Sequence, residues 1–331
     1  MNKKAIVLLS GGLDSMLAAR LMTEQNIEVI AVNYFVRFAM CGGADSSSAV
    51  KAAKMLRLDL KVFDITEEYL EMFKNPRHGY GANINPCIDC KIFMLKKAKD
   101  YMKEAGASFL VTGEVLGERP MSQRRDALNI IERDAGVRGI LLRPLSAKLL
   151  NPTIPEKEGM VDRAALMDIS GRSRKPQMAL AEKFGIKEYP TPAGGCLLTD
   201  PGFSNRVKDL IRHDSVNVKE LELLAVGRHF RISDNAKVVI GRDEDENNML
   251  ESQLKKGDIV FKIKDKPGPF SILRGSLREE DISSAAAIIA YHTKFKNENS
   301  LEINYRDAFS DTIKTIAVKP ASLEMVENKR L

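Results

Sequence analysis

The sequence predicts an α/β fold, a parallel sheet with helices on both faces, followed by a smaller α+β domain. Three observations predict it. Apolar runs of strand length alternate with helix-period segments through the first half of the chain, the pattern of a sheet wound by crossover helices. The first of those runs ends in a glycine-rich turn, where such sheets place their ligands. Beyond Asp209 the texture changes to short alternating apolar runs. At 331 residues there is room for two domains and a substantial core, and we place them at 1–212 and 213–331. No internal repeat or low-complexity tract interrupts them.

Ala5 to Leu9 reads as a buried strand, and Ser10-Gly11-Gly12-Leu13-Asp14-Ser15 turns it into a helix from Met16 to Gln25, with Leu17, Ala18, Leu21 and Met22 at helical spacing. Glu28 to Asn33 is a second strand and Leu60 to Ile65 a third. Between them a helix from Ala44 to Leu56 is led by the capping cluster Asp45-Ser46-Ser47-Ser48. Asn75 to Asn85, rich in Gly, Pro and Asn, is irregular, and Pro86-Cys87-Ile88-Asp89-Cys90 forms a turn before a helix from Ile92 to Ala105. Phe109 to Glu114 and Ile140 to Leu142 complete the strands of this domain. Further helices are expected from Gly159 to Ala165 and from Met178 to Phe184, and Tyr189 to Thr199 is a rigid, helix-free loop that presents Cys196. In the second domain Lys237 to Arg242, Ile259 to Phe261, Phe270 to Leu273 and Thr315 to Val318 read as strands and Glu280 to Ala290 as a helix.

A formal net charge of +6 permits a polyanionic partner such as RNA without requiring one. No apolar run reaches membrane-spanning length, and the short apolar stretch after Met1-Asn2-Lys3-Lys4 lacks a small-residue cleavage site. A cytoplasmic protein with no membrane partner is expected. Four cysteines, two of them in Cys-x-x-Cys, suit a metal or redox site better than a disulfide scaffold in a chain this long.

A strand that runs through small residues into a helix aims backbone N–H groups and a helix N-terminus at one spot, which suits a phosphate. The spacing fits neither Gly-x-Gly-x-x-Gly nor a Gly-Lys-Ser/Thr loop. Thr112-Gly113, at another strand end, is a candidate second wall for a nucleotide. Arg119, Arg124 and Arg125 form a basic loop. Arg172, Arg174 and Lys175 crowd a helix N-terminus, where cations oppose the macrodipole unless a phosphate sits among them. Cys87 and Cys90 can reach one metal, and with Cys196 they leave one position open on a tetrahedral zinc or on one iron of a four-iron cluster. For zinc, His78 or Cys41 is the candidate fourth ligand; a redox role for Cys90 and Cys196, cycling between persulfide and disulfide, is the other option.

Ser10 to Ser15 resembles the pyrophosphate loop (PP-loop) of the N-type ATP pyrophosphatases, whose fold is adenine nucleotide alpha hydrolase-like. Together with Cys87-Ile88-Asp89-Cys90, Thr112-Gly113 and Gly194-Gly195-Cys196, it resembles the ATP-dependent tRNA thiouridine synthetases of both the 2-thiouridine and 4-thiouridine kinds, over about residues 1–212. That resemblance implies adenylation of a tRNA uridine, then attack by sulfur from free sulfide or a persulfide carrier. It also implies ATP phosphates cradled by Ser10, Gly11, Gly12, Leu13 and Ser15, with Mg2+ held by Asp14. Cys87, Cys90 and Cys196 would ligate a 4Fe-4S cluster, and Asp14, Cys90 and Cys196 would be catalytic. Val226 to Arg231 with Gly241-Arg242 is similar to the RNA-binding module of NFACT proteins. That similarity implies phosphate contacts from Arg228, Arg231 and Arg242, and base stacking by His229 and Phe230. The loop cations Arg119, Arg124, Arg125, Arg172, Arg174 and Lys175 would add to the RNA surface. Neither the ferredoxin-like and THUMP region of 4-thiouridine synthetases nor the β-barrel of bacterial 2-thiouridine enzymes is recognisable. A 7-cyano-7-deazaguanine synthase, a nucleotide-binding RNA adaptor without turnover and a sulfur-removing enzyme are the competing readings.

Overall fold

Val7 sits at the centre of the first sheet, fully buried and paired in parallel with Ala31 on one side and Val111 on the other. The computed structural model describes residues 3–38, 47–81, 83–189, 196–213, 215–275 and 278–331. Cys41, the capping residues Asp45 and Ser46, and Gly194-Gly195 lie outside them. The chain divides into two units, Met1–Thr199 and Asp200–Leu331, so that the helix Pro201–Arg212 belongs to the second.

In the first unit, strands β1 (Lys4–Leu8), β2 (Glu28–Phe35), β3 (Asp59–Asp64), β4 (Phe109–Thr112) and β5 (Leu141–Leu142) form one parallel sheet of order β3-β2-β1-β4-β5. The chain builds outward from β1 to β3, then returns to pair β4 on the opposite side. This reversal opens a crevice at the carboxyl ends of β1 and β4. Helices α1 (Leu13–Thr23), α2 (Ser47–Leu56), α3 (Thr66–Lys74), α4 (Cys87–Glu104), α5 (Arg125–Ala135), α6 (Ile154–Lys157) and α7 (Lys175–Lys183) make the connections and flanks. Ala5, Val7, Ala31, Phe109 and Val111 share a core with α1, α2 and α7. Helix α4 packs on β1 and β4 with none of its buried residues in that core, which places it on the other face.

Three local expectations are corrected. Helix α4 begins at Cys87, so the Cys-x-x-Cys pair occupies its first turn rather than a preceding turn. The helix expected over 159–165 is instead the short α6 and a 3-10 turn at Arg163–Ala165, because Gly159 at φ +68° ends α6. A 3-10 turn at Leu197–Thr199 lies within the stretch expected to be helix-free.

The second unit contains α8 (Pro201–Arg212), α9 (Val218–Leu223), β6 (Arg228–Ser233), β7 (Ala236–Ile240), α10 (Glu244–Ser252), β8 (Ile259–Ile263), β9 (Ser271–Arg274), α11 (Glu279–Tyr291), β10 (Leu301–Asp307), β11 (Lys314–Val318) and α12 (Leu323–Lys329). Its sheet is antiparallel, of order β11-β10-β8-β9-β7-β6. Both faces are covered. Phe230, Val238, Phe261 and Leu273 pack with α11 and α12, while Val239, Val260 and Ile272 pack with Leu223 of α9 and Leu250 of α10. Consecutive residues of β6 and β7 are therefore both buried.

Candidate nucleotide and thiol site

Gly11 adopts φ +83°, and a Cβ there would lie 2.3 Å from the carbonyl carbon of Ser48. Only glycine can hold the loop this close to the start of α2. Gly113 is confined in the same way: its Cβ would stand 2.4 Å from the Asp14 carbonyl carbon, so the end of β4 abuts the first turn of α1. The predicted loop and its predicted second wall are thus brought together at the crevice between β1 and β4. Within the loop, Ser10 Oγ donates to Ser15 Oγ at 3.2 Å, Ser15 Oγ donates to the Gly12 carbonyl at 2.8 Å, and the Gly12 N–H donates to Ser10 Oγ at 3.4 Å. Gly12 caps α1 in an extended conformation with no side-chain acceptor on the helix end, which leaves N–H groups for an anion. Replacing Ser15 by Ala removes the hydroxyl that ties loop to helix. It is expected to weaken binding of magnesium ATP about tenfold, roughly 1.4 kcal/mol, measured by equilibrium binding.

Asp14 is half-buried, and its Oδ1 has no hydrogen-bond partner. Burial pushes its carboxyl pKa up, against the pull of Arg174, Arg119 and the Gln177 amide. Glu118 is raised by burial and by the facing Asp14 charge. Two carboxylates and two guanidinium groups therefore surround the loop, the charge pattern that a divalent cation with phosphates would complete. Arg119 follows β4 and Arg174 caps α7, and a bridge between Leu116 and Ser170 holds the two segments side by side. Arg172 and Lys175 are exposed.

The thiols form the second half of the site. Tyr69, buried on α3, donates its hydroxyl to Cys90 and lies within electrostatic reach of Cys87 and Cys196. Burial pushes the Cys90 thiol pKa up, opposed by Tyr69 and by Lys91. Cys87 meets Asn85 Nδ2 at 3.6 Å and Ser122 Oγ at 3.9 Å. The Cys196 segment is anchored beside them: the Ile84 N–H donates to the Leu198 carbonyl at 3.4 Å, and Asn83 Nδ2 to the Thr199 carbonyl at 2.7 Å. Among the described residues the donor set is the three thiols, the number that a cluster with one iron left open would take. Among the described residues, however, no group of three or more His, Cys, Asp or Glu side chains is arranged to hold a metal ion. His78 has its ring Nε2 on Asp134 Oδ2 at 2.9 Å and belongs to no such group among the described residues.

One loop, residues 115–123, links the halves. Arg119 lies beside Asp14, and Ser122 beside Cys87. Glu114, at the head of this loop, is buried; it accepts from Arg143 Nε at 2.9 Å and pairs with Lys91, the neighbour of Cys90, at 3.5 Å. Burial alone would raise the Glu114 pKa, but Lys91 and Arg143 outweigh it and hold the carboxyl below the usual range. Tyr69, Glu118 and Gln177 carried no motif signal; only the clustering of cations near 172–175 hinted at the segment that brings Gln177 in. A cleft of about 470 Å3 beside β5, lined by Glu132, Arg138 and Asn151, contains Arg125 but no residue of the loop or thiol motifs.

Four of the nine cations assigned to RNA are engaged within the protein. Arg124 pairs with Asp126 at 2.9 Å and Arg125 donates to the Leu149 carbonyl at 3.0 Å. In the second unit Arg231 forms a two-pronged pair with Asp209, and Arg242 another with Glu246. Arg228 is half-buried. His229 and Phe230 do not stack on bases. His229 is 2% exposed, with Nε2 bound to the Val226 carbonyl, and burial depresses its pKa; Phe230 is fully buried in the core against α11.

A family model described as thiamine biosynthesis protein (ThiI) matches residues 1–150, and one described as NFACT protein RNA binding domain matches residues 227–329. The tRNA-specific 2-thiouridylase MnmA of Petrotoga mobilis is 33% identical over 132 residues, 35% of this chain and 36% of that protein. A probable tRNA sulfurtransferase of Thermoanaerobacter is 32% identical over 149 residues, 44% of this chain and 37% of that protein. The chain therefore spans little more than a third of the length of these curated relatives. A solved 4-thiouridine synthetase–RNA complex with bound ATP is 20% identical, with 55% of this chain and 51% of that one covered at a TM-score of 0.36. Residues 1–150 of the first unit are thus similar to the ThiI family, and residues 227–329 of the second to the NFACT RNA binding domain. Among the described residues no helix is long and apolar enough to cross a membrane.

Proposed function

We propose that the chain is an ATP-dependent tRNA thiouridine synthetase. The observation that carries this reading is the 115–123 loop, which reaches from Asp14 at the nucleotide loop to Cys87 at the thiols. A uridine carbonyl oxygen is a poor leaving group until it is phosphorylated. ATP supplies that group: the oxygen attacks the α-phosphate, pyrophosphate departs, and a sulfur nucleophile then displaces AMP from the ring carbon. The N–H groups of the Ser10 to Ser15 loop would hold the departing pyrophosphate, and Asp14 would hold the magnesium ion that neutralises its charge. Arg119 and Arg174 offset the developing negative charge. A four-iron four-sulfur cluster on Cys87, Cys90 and Cys196 would leave one iron free to bind the incoming sulfur. The NFACT-type domain, with the exposed Arg172 and Lys175, contributes to holding tRNA.

The test is incubation of anaerobically purified protein with unmodified tRNA, magnesium ATP and sulfide. Thiouridine, AMP and pyrophosphate are expected in equal amounts. Bound ATP with no pyrophosphate release in the presence of tRNA would overturn this reading in favour of a nucleotide-binding adaptor.

A further inference from the structure

Gln177 is completely buried on the first turn of α7, where its amide bears on the Asp14 carboxylate but makes no hydrogen bond of good geometry through Nε2 or Oε1. An amide kept in this state costs about 1–3 kcal/mol, and an apolar side chain would fill the same space without that cost. The group in reach of this amide is Asp14, whose Oδ1 is itself buried and unpartnered. Glu118 faces Asp14, and Arg174, the residue capping α7, also has an unpartnered buried Nε. The unsatisfied polar atoms are thus concentrated around one carboxylate at the mouth of the loop. Such an arrangement is incomplete without a ligand that supplies both positive charge and hydrogen-bonding groups.

We propose that Gln177 is a positioning residue that orients Asp14 for the magnesium ion of magnesium ATP, a deepening that rests on the function proposed above. With one Asp14 oxygen given to a bound cation, the Gln177 amide N–H would hold the other and fix the carboxylate's orientation. Magnesium characteristically keeps several waters and takes only one or two carboxylates alongside nucleotide phosphates. Asp14 and Glu118 meet that requirement, and Arg174 faces the phosphates rather than RNA.

The experiment uses the full chain, a non-hydrolysable ATP analogue and magnesium titrated from an EDTA-treated start. Gln177→Leu is expected to raise the magnesium concentration at half-saturation at least tenfold. Affinity for the metal-free analogue should be unchanged and the urea midpoint no lower than wild type, since the substitution removes a buried amide whose hydrogen bonding is poorly formed. Met178→Ala, on the exposed side of the same turn, should behave as wild type. An unchanged magnesium midpoint in Gln177→Leu overturns the inference, as does an equal loss of affinity with and without metal, which would mark a structural role. If Gln177→Leu does not fold, Gln177→Met carries the same expectation. Wild-type protein that shows no magnesium-dependent nucleotide binding overturns the proposed function itself; magnesium-dependent binding left untouched by the substitution overturns only the role of Gln177.

Discussion

Replacing Cys196 by Ala is expected to abolish thiouridine formation while leaving the affinity for magnesium ATP within about twofold of wild type. Cys196 shares Tyr69 as a neighbour with Cys90 and Cys87, and its segment is tied to the 83–85 turn that precedes Cys87. None of these contacts involves the Ser10 to Ser15 loop. Mass spectrometry of nucleosides from digested tRNA, run beside equilibrium ATP binding, separates the two activities. Comparison with Cys87→Ala identifies the chemistry. If the three thiolates hold a cluster, every ligand is required, and Cys87→Ala should lose iron, sulfide and thiolation as completely as Cys196→Ala. If sulfur instead passes between Cys90 and Cys196 as a persulfide, Cys87 is a bystander and its Ala variant retains activity. Normal thiouridine yield from the Cys196→Ala enzyme would remove the thiols from the mechanism altogether.

What could be read from the residues follows from how tightly local chemistry constrains sequence. The nucleotide loop was legible because a positive φ at Gly11 and a backbone contact at Gly113 admit glycine alone, and such demands fix residue type at fixed spacing. The Cys-x-x-Cys pair was legible for the same reason. Tyr69 and Gln177 were not. Each acts through tertiary proximity, and a buried tyrosine or amide leaves no periodic mark that separates it from an ordinary core or surface residue. The reading of His229 and Phe230 failed on the architecture of the second unit. An aromatic between basic residues suggests an exposed strand, but that sheet is covered on both faces, so β6 buries His229 on one side and Phe230 on the other. Arg231, beside them, was a real feature of the sequence whose partner was distant in the chain: Asp209 lies on α8, well before it.

The substitution expected to cost most in stability is Arg143→Met. Arg143 is 2% exposed, donates through Nε to Glu114 at 2.9 Å and pairs through Nη1 with Glu132. A buried ion pair adds little over a well-packed apolar substitute, but removing one partner leaves an uncompensated charge in the interior, at a cost of about 3–5 kcal/mol. Glu114 would keep the Thr112 hydroxyl at 3.2 Å and, as its one remaining charge partner among the described residues, Lys91, a half-buried ammonium at 3.5 Å. Urea denaturation of the full chain should therefore show a large fall in midpoint for Arg143→Met, and a smaller fall for the double variant with Glu114→Gln, in which the stranded charge is gone. A double variant as unstable as Arg143→Met alone would mean that packing, not charge, is what Arg143 supplies. The consequence reaches the site, because Glu114 directly follows Thr112-Gly113 and holds Lys91 next to Cys90. Arg143 thereby fixes one carboxylate that braces both the nucleotide edge of β4 and the first turn of α4. Loosening it should reduce thiolation in Arg143→Met even at temperatures where the protein remains folded, whereas Arg231→Ala, whose ion pair lies in the other unit, should leave adenylation unchanged.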